Sequence, residues 1–449
     1  MIWRSCWSGR SARGGGRVRS APLACAMSSP RALSSEGARI ATRKFDMTVL
    51  KFENVRVLRD GKLRNEYFWV KDGKVIDPQN RFWQCATEEV HAPDQVIDGR
   101  GCIIAPGFID VQINGGFGHD FSNPTITPKE IEYVSQCLVS TGVTAYCPTL
   151  VSSSAEVYKA VMPLYKRTDD GADRKAANIL GLHLEGPFIN TERKGAHDER
   201  VLLAPVNGID SLLERYGPLD EVSLITLAPE LEGAPAAIAA LKERGIIASA
   251  GHSRANVQTA MEAVDHGVTM ITHMFNAMAP FHHRDPGLIG LLGLTKNRPY
   301  YGLILDGVHS HPTSARIIQT CHPEGLVLVT DAMAGMGLAP GIYDLAGQSV
   351  EVKKEGAFLT GTSTIAGSIV TMDSCLRTLI EYTGCTVEQA IEAATLHPAR
   401  ALGIDGRKGS LSFGADADFV LLNNDLQVEK TYIAGKLVFE RGAEGQASQ

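Results

Sequence analysis

Residues that commonly bind metal ions, or act beside them, follow predicted β-strands in this 449-residue chain. Glu185 ends an apolar run in His183-Leu184-Glu185-Gly186-Pro187-Phe188, and His252, His273 and Asp331 each end or follow a later run. Two imidazoles and one carboxylate are the ligand set of a catalytic zinc site that keeps one position open for water. A further carboxylate beside such a site is suited to a general base and then to a general acid toward a leaving amine. The pattern predicts a metal centre on Glu185, His252 and His273, with Asp331 as the base.

Each of these residues has a structural alternative when it is taken singly. Glu185 fits a solvated charge at a strand end, since charged side chains are mostly exposed. His252 and Asp331 could cap helices, and His273 could be a core histidine with satisfied hydrogen bonds. The alternatives weaken for the set of four, because solvated side chains would not favour the same end of nearly every strand.

The elements that must position these residues are eight apolar, β-branched runs, most of them separated by amphipathic helical stretches. The runs lie at 103–113, 143–150, 178–186, 223–229, 245–251, 269–275, 301–306 and 325–331. The helical stretches lie at 128–140, 154–165, 234–244, 254–265, 312–321, 370–381 and 386–396. Eight such repeats predict an α/β fold, a (β/α)8 TIM barrel with its active site at the C-terminal ends of the strands. A doubly wound sheet is the alternative, but it would usually have fewer strands and a Gly-rich phosphate turn after the first one.

The two ends of the chain share a β-rich pattern. Near the start, predicted strands precede a hairpin turn at Asp72-Gly73; they lie at 49–52, 54–58 and 67–70. Near the end, predicted strands surround a turn at Ala434-Gly435; they lie at 418–422, 431–433 and 436–439. We expect one small β-sandwich domain built from both ends. The predicted boundaries are a leader at 1–46, β-domain segments at 47–104 and 403–442, the barrel at 105–402 and a tail at 443–449.

Composition limits the classes of partner and the compartment. The net charge of −6 gives no electrostatic reason to expect nucleic acid or an anionic membrane as a partner. No uncharged apolar run approaches the roughly 18 residues of a membrane span. The nine cysteines are scattered and never spaced Cys-x-x-Cys, which indicates reduced thiols of an intracellular, cytoplasmic protein.

The leader allows two interpretations. Up to Ser35 it has six arginines and no acidic residue, a bias that matches a mitochondrial transit peptide. Gly14-Gly15-Gly16 would interrupt the amphipathic helix of such a peptide, so a disordered extension without an address is the alternative.

Loops at the same predicted face supply further candidates. Asp306-Gly307-Val308-His309 follows the seventh run, and His309 could polarise a substrate carbonyl. His197 lies in a loop beyond Glu185 and is a candidate substrate contact. Arg284 could bind an anion through two parallel hydrogen bonds, although a solvated loop explains it equally well.

Several motifs resemble a known family. Ala105-Pro106-Gly107-Phe108-Ile109-Asp110 and Gly414-Ala415-Asp416-Ala417-Asp418 look like the amidohydrolase superfamily. More narrowly, four segments resemble the N-acetylglucosamine-6-phosphate deacetylase family, at 183–188, 251–253, 272–278 and 329–332. The likeness covers roughly residues 48 to 440, and it implies hydrolysis of the N-acetyl group of a sugar phosphate.

One motif departs from the superfamily at large. Most members have His-x-His at the end of the first strand, where this chain has Gln112 and Asn114, and amides are poor metal ligands. The deacetylase family often has Gln-x-Asn there, so that resemblance is unaffected. We therefore expect one divalent ion, zinc by its ligand set, although cobalt and iron suit the same ligands.

The resemblance also implies substrate contacts and a homodimer. Sugar contacts are expected at Ala196 and His197, and phosphate contacts at the backbone amides of Asn276 and Ala277 together with Arg284, which relatives can supply across a dimer interface. The segment Asp306, Gly307, Val308 and His309 is expected to hold the sugar and acetyl group. Ile365, Ala366 and Gly367, in a loop late in the barrel, are expected to form a further wall.

Two other functions remain open from the residues alone. A cyclic-amide hydrolase of the dihydropyrimidinase type would require His-x-His and usually a lysine on strand four, where the chain reads Leu227-Ala228-Pro229-Glu230. A non-catalytic scaffold would suit the missing His-x-His. It gives no physical reason to bury a carboxylate and two imidazoles at one mouth.

Overall fold

Eight parallel strands form the central sheet of the computed structural model, which describes residues 48–79, 92–168, 174–345, 348–353, 356–362 and 365–442. Each strand pairs with the next one in the chain. Barrel strands one to eight are Phe108–Ile113, Val143–Val151, Leu182–Glu185, Val222–Leu227, Ile247–Ala250, Val268–Ile271, Tyr300–Leu303 and Leu326–Leu328. The backbone N–H of Asp331 donates to the Gln112 carbonyl at 2.8 Å, which nearly closes the ring. The predicted (β/α)8 barrel is confirmed.

The strands are apolar because both faces of a parallel sheet are covered. One buried cluster includes Val111, Ala145, Leu224, Met270 and Val327, which come from strands one, two, four, six and eight. Side chains from strands around the whole ring meet in this cluster, as they do where a barrel interior is filled. A short strand, Asn178–Ile179, also pairs with barrel strand two.

Helices cover the outside of the barrel. They are Pro128–Leu138, Ala155–Val161, Ile209–Tyr216, Ala234–Glu243, Val257–His266, Pro312–Cys321, Met372–Thr383, Val387–Ala393 and Leu396–Ala401. Short 3-10 helices lie at Val139–Thr141, Met162–Leu164, Thr191–Arg193, Glu199–Val201, Gly287–Gly293 and Pro323–Gly325. The first helix begins at a capping box of Thr127 and Glu130, with Pro128 in its first turn. No helix among the described residues is long and apolar enough to cross a membrane.

Both chain ends contribute to the sheets beside the barrel. One four-stranded sheet contains Val49–Glu53, Phe68–Lys71, Lys74–Val75 and Gln95–Asp98. A six-stranded sheet contains Arg56–Arg59, Lys62–Asn65, Ile103–Pro106, Phe419–Leu422, Val428–Ile433 and Lys436–Glu440. The first-end strand Ile103–Pro106 pairs antiparallel with the last-end strand Phe419–Leu422, and Phe52, Phe68 and Tyr432 lie in the shared core. The domain boundaries themselves stay predictions, and the leader and tail lie outside the described residues.

The structure differs from the sequence prediction at two places that affect the site. The run 103–113 is two strands separated at Gly107, whose N–H donates to the Asp418 carbonyl at 2.9 Å. A Cβ there would lie 2.1 Å from Thr144 Oγ1, so only glycine fits. The predicted loop at 365–367 is instead a strand, Ile365–Gly367, at the edge of an antiparallel sheet that follows barrel strand eight. The other strands of that sheet are Gly341–Leu345, Gln348–Lys353 and Gly356–Leu359.

Candidate active site

Three side-chain atoms meet at the C-terminal mouth of the barrel. Glu185 Oε1 lies 3.0 Å from His252 Nε2 and 3.1 Å from His273 Nε2, and the two nitrogens are 3.0 Å apart. Glu185 is the last residue of barrel strand three, whereas each histidine lies two residues beyond its strand. The structure thus brings together the three side chains that the sequence predicted as metal ligands.

The hydrogen bonds of His252 determine which of its two ring nitrogens carries the proton and which presents a lone pair to Glu185 and His273. Its Nδ1 lies 2.8 Å from the Arg193 carbonyl oxygen, which can only accept. Nδ1 therefore has the proton, and Nε2 presents a lone pair toward Glu185 and His273. This tautomer is the one that a metal ligand requires, with its second nitrogen held by a backbone carbonyl.

His197 has the opposite tautomer. Its Nδ1 accepts from the Ser152 backbone N–H at 3.2 Å and lies 2.7 Å from Ser152 Oγ. Burial, and then the nearby His252, lower the pKa of His197 to about 3, so the ring is neutral and its proton is on Nε2. Glu185, His197 and His252 place ligand atoms within 4.8 Å of one another. The tautomer nevertheless makes His197 a hydrogen-bond donor into the site and a poor fourth ligand.

Charge in the cluster is concentrated on Glu185. Burial alone would raise the pKa of this carboxyl, but the neighbouring His252 and His273 rings outweigh it and hold the pKa well below its usual range. Burial lowers the pKa of His273, and the neighbouring Glu185 more than reverses that effect. A buried carboxylate in this setting is stable only with a positive partner, either an imidazolium or a metal ion.

Asp331 lies beside this cluster and is held by the amides of Gln112, in barrel strand one, and Asn114, the residue after that strand. Asn114 Nδ2 donates to Asp331 Oδ1 at 2.7 Å, and Gln112 Nε2 donates to the same oxygen at 3.2 Å. Gln112 Nε2 also lies 3.2 Å from Glu185 Oε1, so it contacts both carboxylates. Burial, followed by the charge of Glu185, raises the pKa of Asp331 to about 7.

The backbone at three of these residues adopts an uncommon conformation. The φ angles are 47° at His252, 27° at His273 and 45° at Asp331, all in the left-handed region. Non-glycine residues there cost on the order of 1–3 kcal/mol each and are concentrated at functional sites. Each side chain is therefore aimed into the mouth by a turn that the surrounding contacts must hold.

The segment after barrel strand seven forms its own hydrogen-bonded unit. Asp306 Oδ2 lies 2.6 Å from His309 Nδ1, while Oδ1 accepts from the N–H groups of Val308 at 2.9 Å and His309 at 2.8 Å. Burial would lower the pKa of His309, but the hydrogen bond and charge of Asp306 raise it. Gly307, at φ 83°, makes the turn between them. Because Nδ1 donates to Asp306, His309 Nε2 can donate to a substrate when the ring is protonated, a form that Asp306 favours.

The remaining predicted contacts lie in loops around the mouth. Ala277 follows barrel strand six, and its carbonyl accepts from the N–H of Ser253, next to His252. Asn276 is half-buried, whereas Ala196 and Arg284 are exposed. Within the described part of the chain, the Arg284 side chain makes no ion pair or hydrogen bond with the predicted metal ligands.

The strand Ile365–Gly367 is linked to the barrel mouth by a hydrogen bond from the segment that follows Asp331 to the residue after the strand. The backbone N–H of Met333 donates to the Ser368 carbonyl at 2.9 Å, two residues after Asp331. Ile365 is 38% exposed and Ala366 is half-buried, so this strand can present side chains to a bound molecule.

Sequence reasoning missed residues that act through others. Ser152 fixes the ring of His197, and Glu230 accepts hydrogen bonds from the turn that follows His252. Gln112 and Asn114 were identified only as absent ligands, whereas the structure shows them as donors to Asp331. The signal for Gln112, Asn114 and Glu230 is their position, because each ends or closely follows an apolar barrel run.

The donor set fits a divalent metal ion. Two Nε2 atoms 3.0 Å apart cannot both point a proton along the line between them, and the lone pair of His252 Nε2 needs a positive partner. Glu185 Oε1 supplies the anionic oxygen at nearly the same distance from both. Two imidazole nitrogens with one carboxylate oxygen match the His2Glu set of catalytic zinc.

A (β/α)8 barrel with this set of imidazoles and carboxylates at its mouth defines the chain as a hydrolase of the metal-dependent amidohydrolase class. Residues 103–438 match the amidohydrolase family model. The N-acetylglucosamine-6-phosphate deacetylase of Danio rerio is 48% identical over 402 residues, which are 88% of this chain and 98% of that protein. The enzyme of the same name from Homo sapiens is 49% identical over 406 residues, or 89% of this chain and 97% of that protein.

A solved structure agrees with these relatives. The N-acetyl-D-glucosamine-6-phosphate deacetylase of Mycobacterium smegmatis, a variant in complex with N-acetyl-D-glucosamine-6-phosphate, superposes with a TM-score of 0.74 at 32% identity. The match covers 87% of this chain and 99% of that one. The chain belongs to the amidohydrolase family and, within it, to the N-acetylglucosamine-6-phosphate deacetylases.

Proposed function

We propose that this enzyme hydrolyses the N-acetyl amide of N-acetylglucosamine 6-phosphate, giving glucosamine 6-phosphate and acetate. The observation that carries the proposal is the convergence of Glu185, His252 and His273 beside Asp331 at the barrel mouth. The identity of 48–49% to deacetylases of that name supports the substrate.

Glu185, His252 and His273 would hold one divalent ion, for which zinc is the proposed identity because of the His2Glu ligand set. Such an ion supplies a Lewis acid that polarises a carbonyl and makes water more acidic. Gln112 and Asn114 present N–H groups to carboxylates, so they are not assigned as ligands.

Asp331 is the proposed general base. Its raised pKa of about 7 allows it to accept a proton near neutral pH and to release it again. It takes the proton of the attacking water as the water oxygen bonds to the amide carbon. It then delivers that proton to the sugar nitrogen as the C–N bond breaks, so acetate and a free amine leave.

Two histidines are proposed to hold the substrate through N–H groups. His309 is oriented by Asp306, and the Nε2 of its protonated ring would donate to the carbonyl oxygen as negative charge develops there. His197 would donate from its Nε2 to the sugar, because Ser152 occupies its Nδ1. Ala196, Gly307 and Val308 would form the adjoining sugar and acetyl contacts.

The phosphate is proposed to lie near the loop after barrel strand six. The N–H of Ala277 and the guanidinium of Arg284 are donors suited to an anion, whereas the predicted contact through the Asn276 N–H is already used by a bond to the His273 carbonyl at 2.9 Å. Arg284 is exposed, which supports a contact made across a homodimer as well as one made within a subunit. Ile365–Gly367 would form the opposite wall.

The compartment is proposed to be the cytoplasm. The described cysteines form no disulfide, which supports a reducing environment.

Acetate release from N-acetylglucosamine 6-phosphate tests the activity, measured with and without a chelator and beside the unphosphorylated sugar. We expect release that the chelator abolishes and added zinc restores. No release from either sugar by a metal-loaded preparation would contradict the proposal and favour a scaffold. Near-zero metal after gentle purification would point the same way.

A further inference from the structure

We propose that Glu230 is a positioning residue for the metal centre, because its carboxylate holds the turn that aims His252. Glu230 lies three residues beyond barrel strand four and is half-buried. It belongs to neither the predicted ligands nor the predicted substrate contacts. The inference rests on the proposed role of His252 as a metal ligand.

The hydrogen bonds of Glu230 join two loops. On the strand-five side, Ser253 Oγ donates to Oε2 at 2.6 Å and the Arg254 backbone N–H donates to Oε1 at 2.6 Å. On the strand-three side, Asn190 Nδ2 donates to Oε1 at 3.0 Å. A carboxylate that accepts from a backbone N–H makes a charge-assisted bond, roughly twice as strong as a neutral one.

Both of those loops determine where His252 points. The Asn190 backbone N–H donates to the His252 carbonyl at 2.9 Å, and the Arg193 carbonyl accepts from His252 Nδ1. Ser253 and Arg254, the next two residues in the chain, are the ones that Glu230 holds. One carboxylate therefore fixes both the backbone after His252 and the loop that orients its ring.

The conformation of His252 shows why such a contact is needed. Its φ of 47° is unfavourable for a residue with a Cβ, and it persists only where neighbouring contacts outweigh the cost. Without Glu230, the turn after His252 would lose two hydrogen bonds, and the loop that orients the His252 ring would lose a third. The imidazole would then move relative to Glu185 and His273.

Metal affinity measures this role more directly than activity does. Zinc-loaded full-length protein is titrated with a chelator of known zinc affinity, and the Co²⁺-substituted protein gives an absorption spectrum that reports ligand geometry. In Glu230→Ala we expect zinc affinity to fall by about 10–100-fold, as for other residues that orient metal ligands. The Co²⁺ spectrum should change as well. A residue that only stabilised the fold would leave both readouts of the folded protein unaltered.

Two variants calibrate the result. Glu230→Gln keeps an oxygen for Asn190 and Arg254, so its zinc affinity should recover most of the loss. Glu232→Ala removes an exposed carboxylate from the same loop and should match the wild type. If Glu230→Ala does not fold, Ser253→Ala removes the bond to Oε2, together with the bond that Ser253 Oγ accepts from the Ala255 N–H at 2.9 Å, and should weaken zinc binding by a smaller factor.

The outcomes separate this inference from the proposed function. Wild-type zinc affinity and an unchanged Co²⁺ spectrum in Glu230→Ala, or in Ser253→Ala where it replaces that variant, would overturn the positioning role alone. An equal loss in Glu232→Ala would do the same. A wild-type protein that binds no zinc would instead overturn the assignment of the metal centre.

Discussion

Replacing Asp331 by asparagine separates proton transfer from metal binding. In the structure, one oxygen of Asp331 accepts from Asn114 at 2.7 Å and from Gln112 at 3.2 Å. The asparagine variant keeps one carbonyl oxygen for these donors, so the side chain can hold its place. Its other terminal atom becomes an NH2 group, which has no lone pair available for a proton.

The expected loss follows from the role assigned to the carboxylate. A positioned general acid–base contributes about 10²–10⁴-fold to the rate. At about 1.36 kcal/mol per factor of ten, that is about 2.7–5.4 kcal/mol in activation free energy. Metal content should not change, since the converging atoms belong to Glu185, His252 and His273.

The assay combines acetate-release kinetics with elemental analysis of the same preparation. Asp210→Asn is the matched control, because Asp210 is an exposed carboxylate on the helix Ile209–Tyr216. Wild-type turnover in Asp331→Asn would refute the general-base assignment. Loss of the metal together with activity would show that Asp331 is a ligand.

Two further changes test the phosphate contact and the small β region. Arg284→Ala removes the charge-assisted bonds assigned to the phosphate, which are worth about 1.5–3 kcal/mol. The kcat/KM should therefore fall by about 10–150-fold for the phosphorylated sugar only. An equal fall for the unphosphorylated sugar would contradict the assignment. Lys408→Met removes the buried cation 2.5 Å from Asp418 Oδ2 and leaves a buried carboxylate. The free energy of unfolding, from denaturant titration, should fall by about 3–5 kcal/mol, and a fall below about 1 kcal/mol would argue against a stabilising pair.

The barrel could be predicted from the sequence because its strands are covered on both faces. Val222–Leu227 is buried at every position, so it reads as a mostly apolar run in which only Ser223 and Thr226 are polar. The polar residue after such a run marks the end of the strand, and parallel strands place those ends at one mouth. From this physical rule, the sequence alone predicts that Glu185, His252, His273 and Asp331 lie close together.

The antiparallel sheet after barrel strand eight was not predicted, for a reason that follows from its exposure. In Gln348–Lys353, Val350 and Val352 are buried while Ser349 is exposed and Glu351 is half-buried. That alternation of period two is the signal of a strand with one covered face, but it is short and mixed with charges. The helix Ile209–Tyr216 was missed as well, and its eight residues give a weak pattern.

Side-chain direction is the part of the site that residue types alone do not determine. His197 and His252 are both histidines in loops at the mouth, yet one accepts at Nδ1 from Ser152 and the other donates from Nδ1 to Arg193. This difference, set by tertiary contacts, suits one ring to donate into the site and the other to bind a metal ion. The sequence offered only the shared ability of imidazole to do either.

The amides of Gln112 and Asn114, at the end of barrel strand one, explain how a site without His-x-His stays organised. A carboxylate can only accept, so Gln112 and Asn114 must turn their NH2 groups toward Asp331. Their carbonyl oxygens, which have no hydrogen-bond partner among the described residues, then point elsewhere. An amide in this orientation cannot also give its oxygen to an ion between the two carboxylates. Where histidines at these positions would bind a metal, the amides bind the Asp331 carboxylate and keep it in a fixed position beside Glu185.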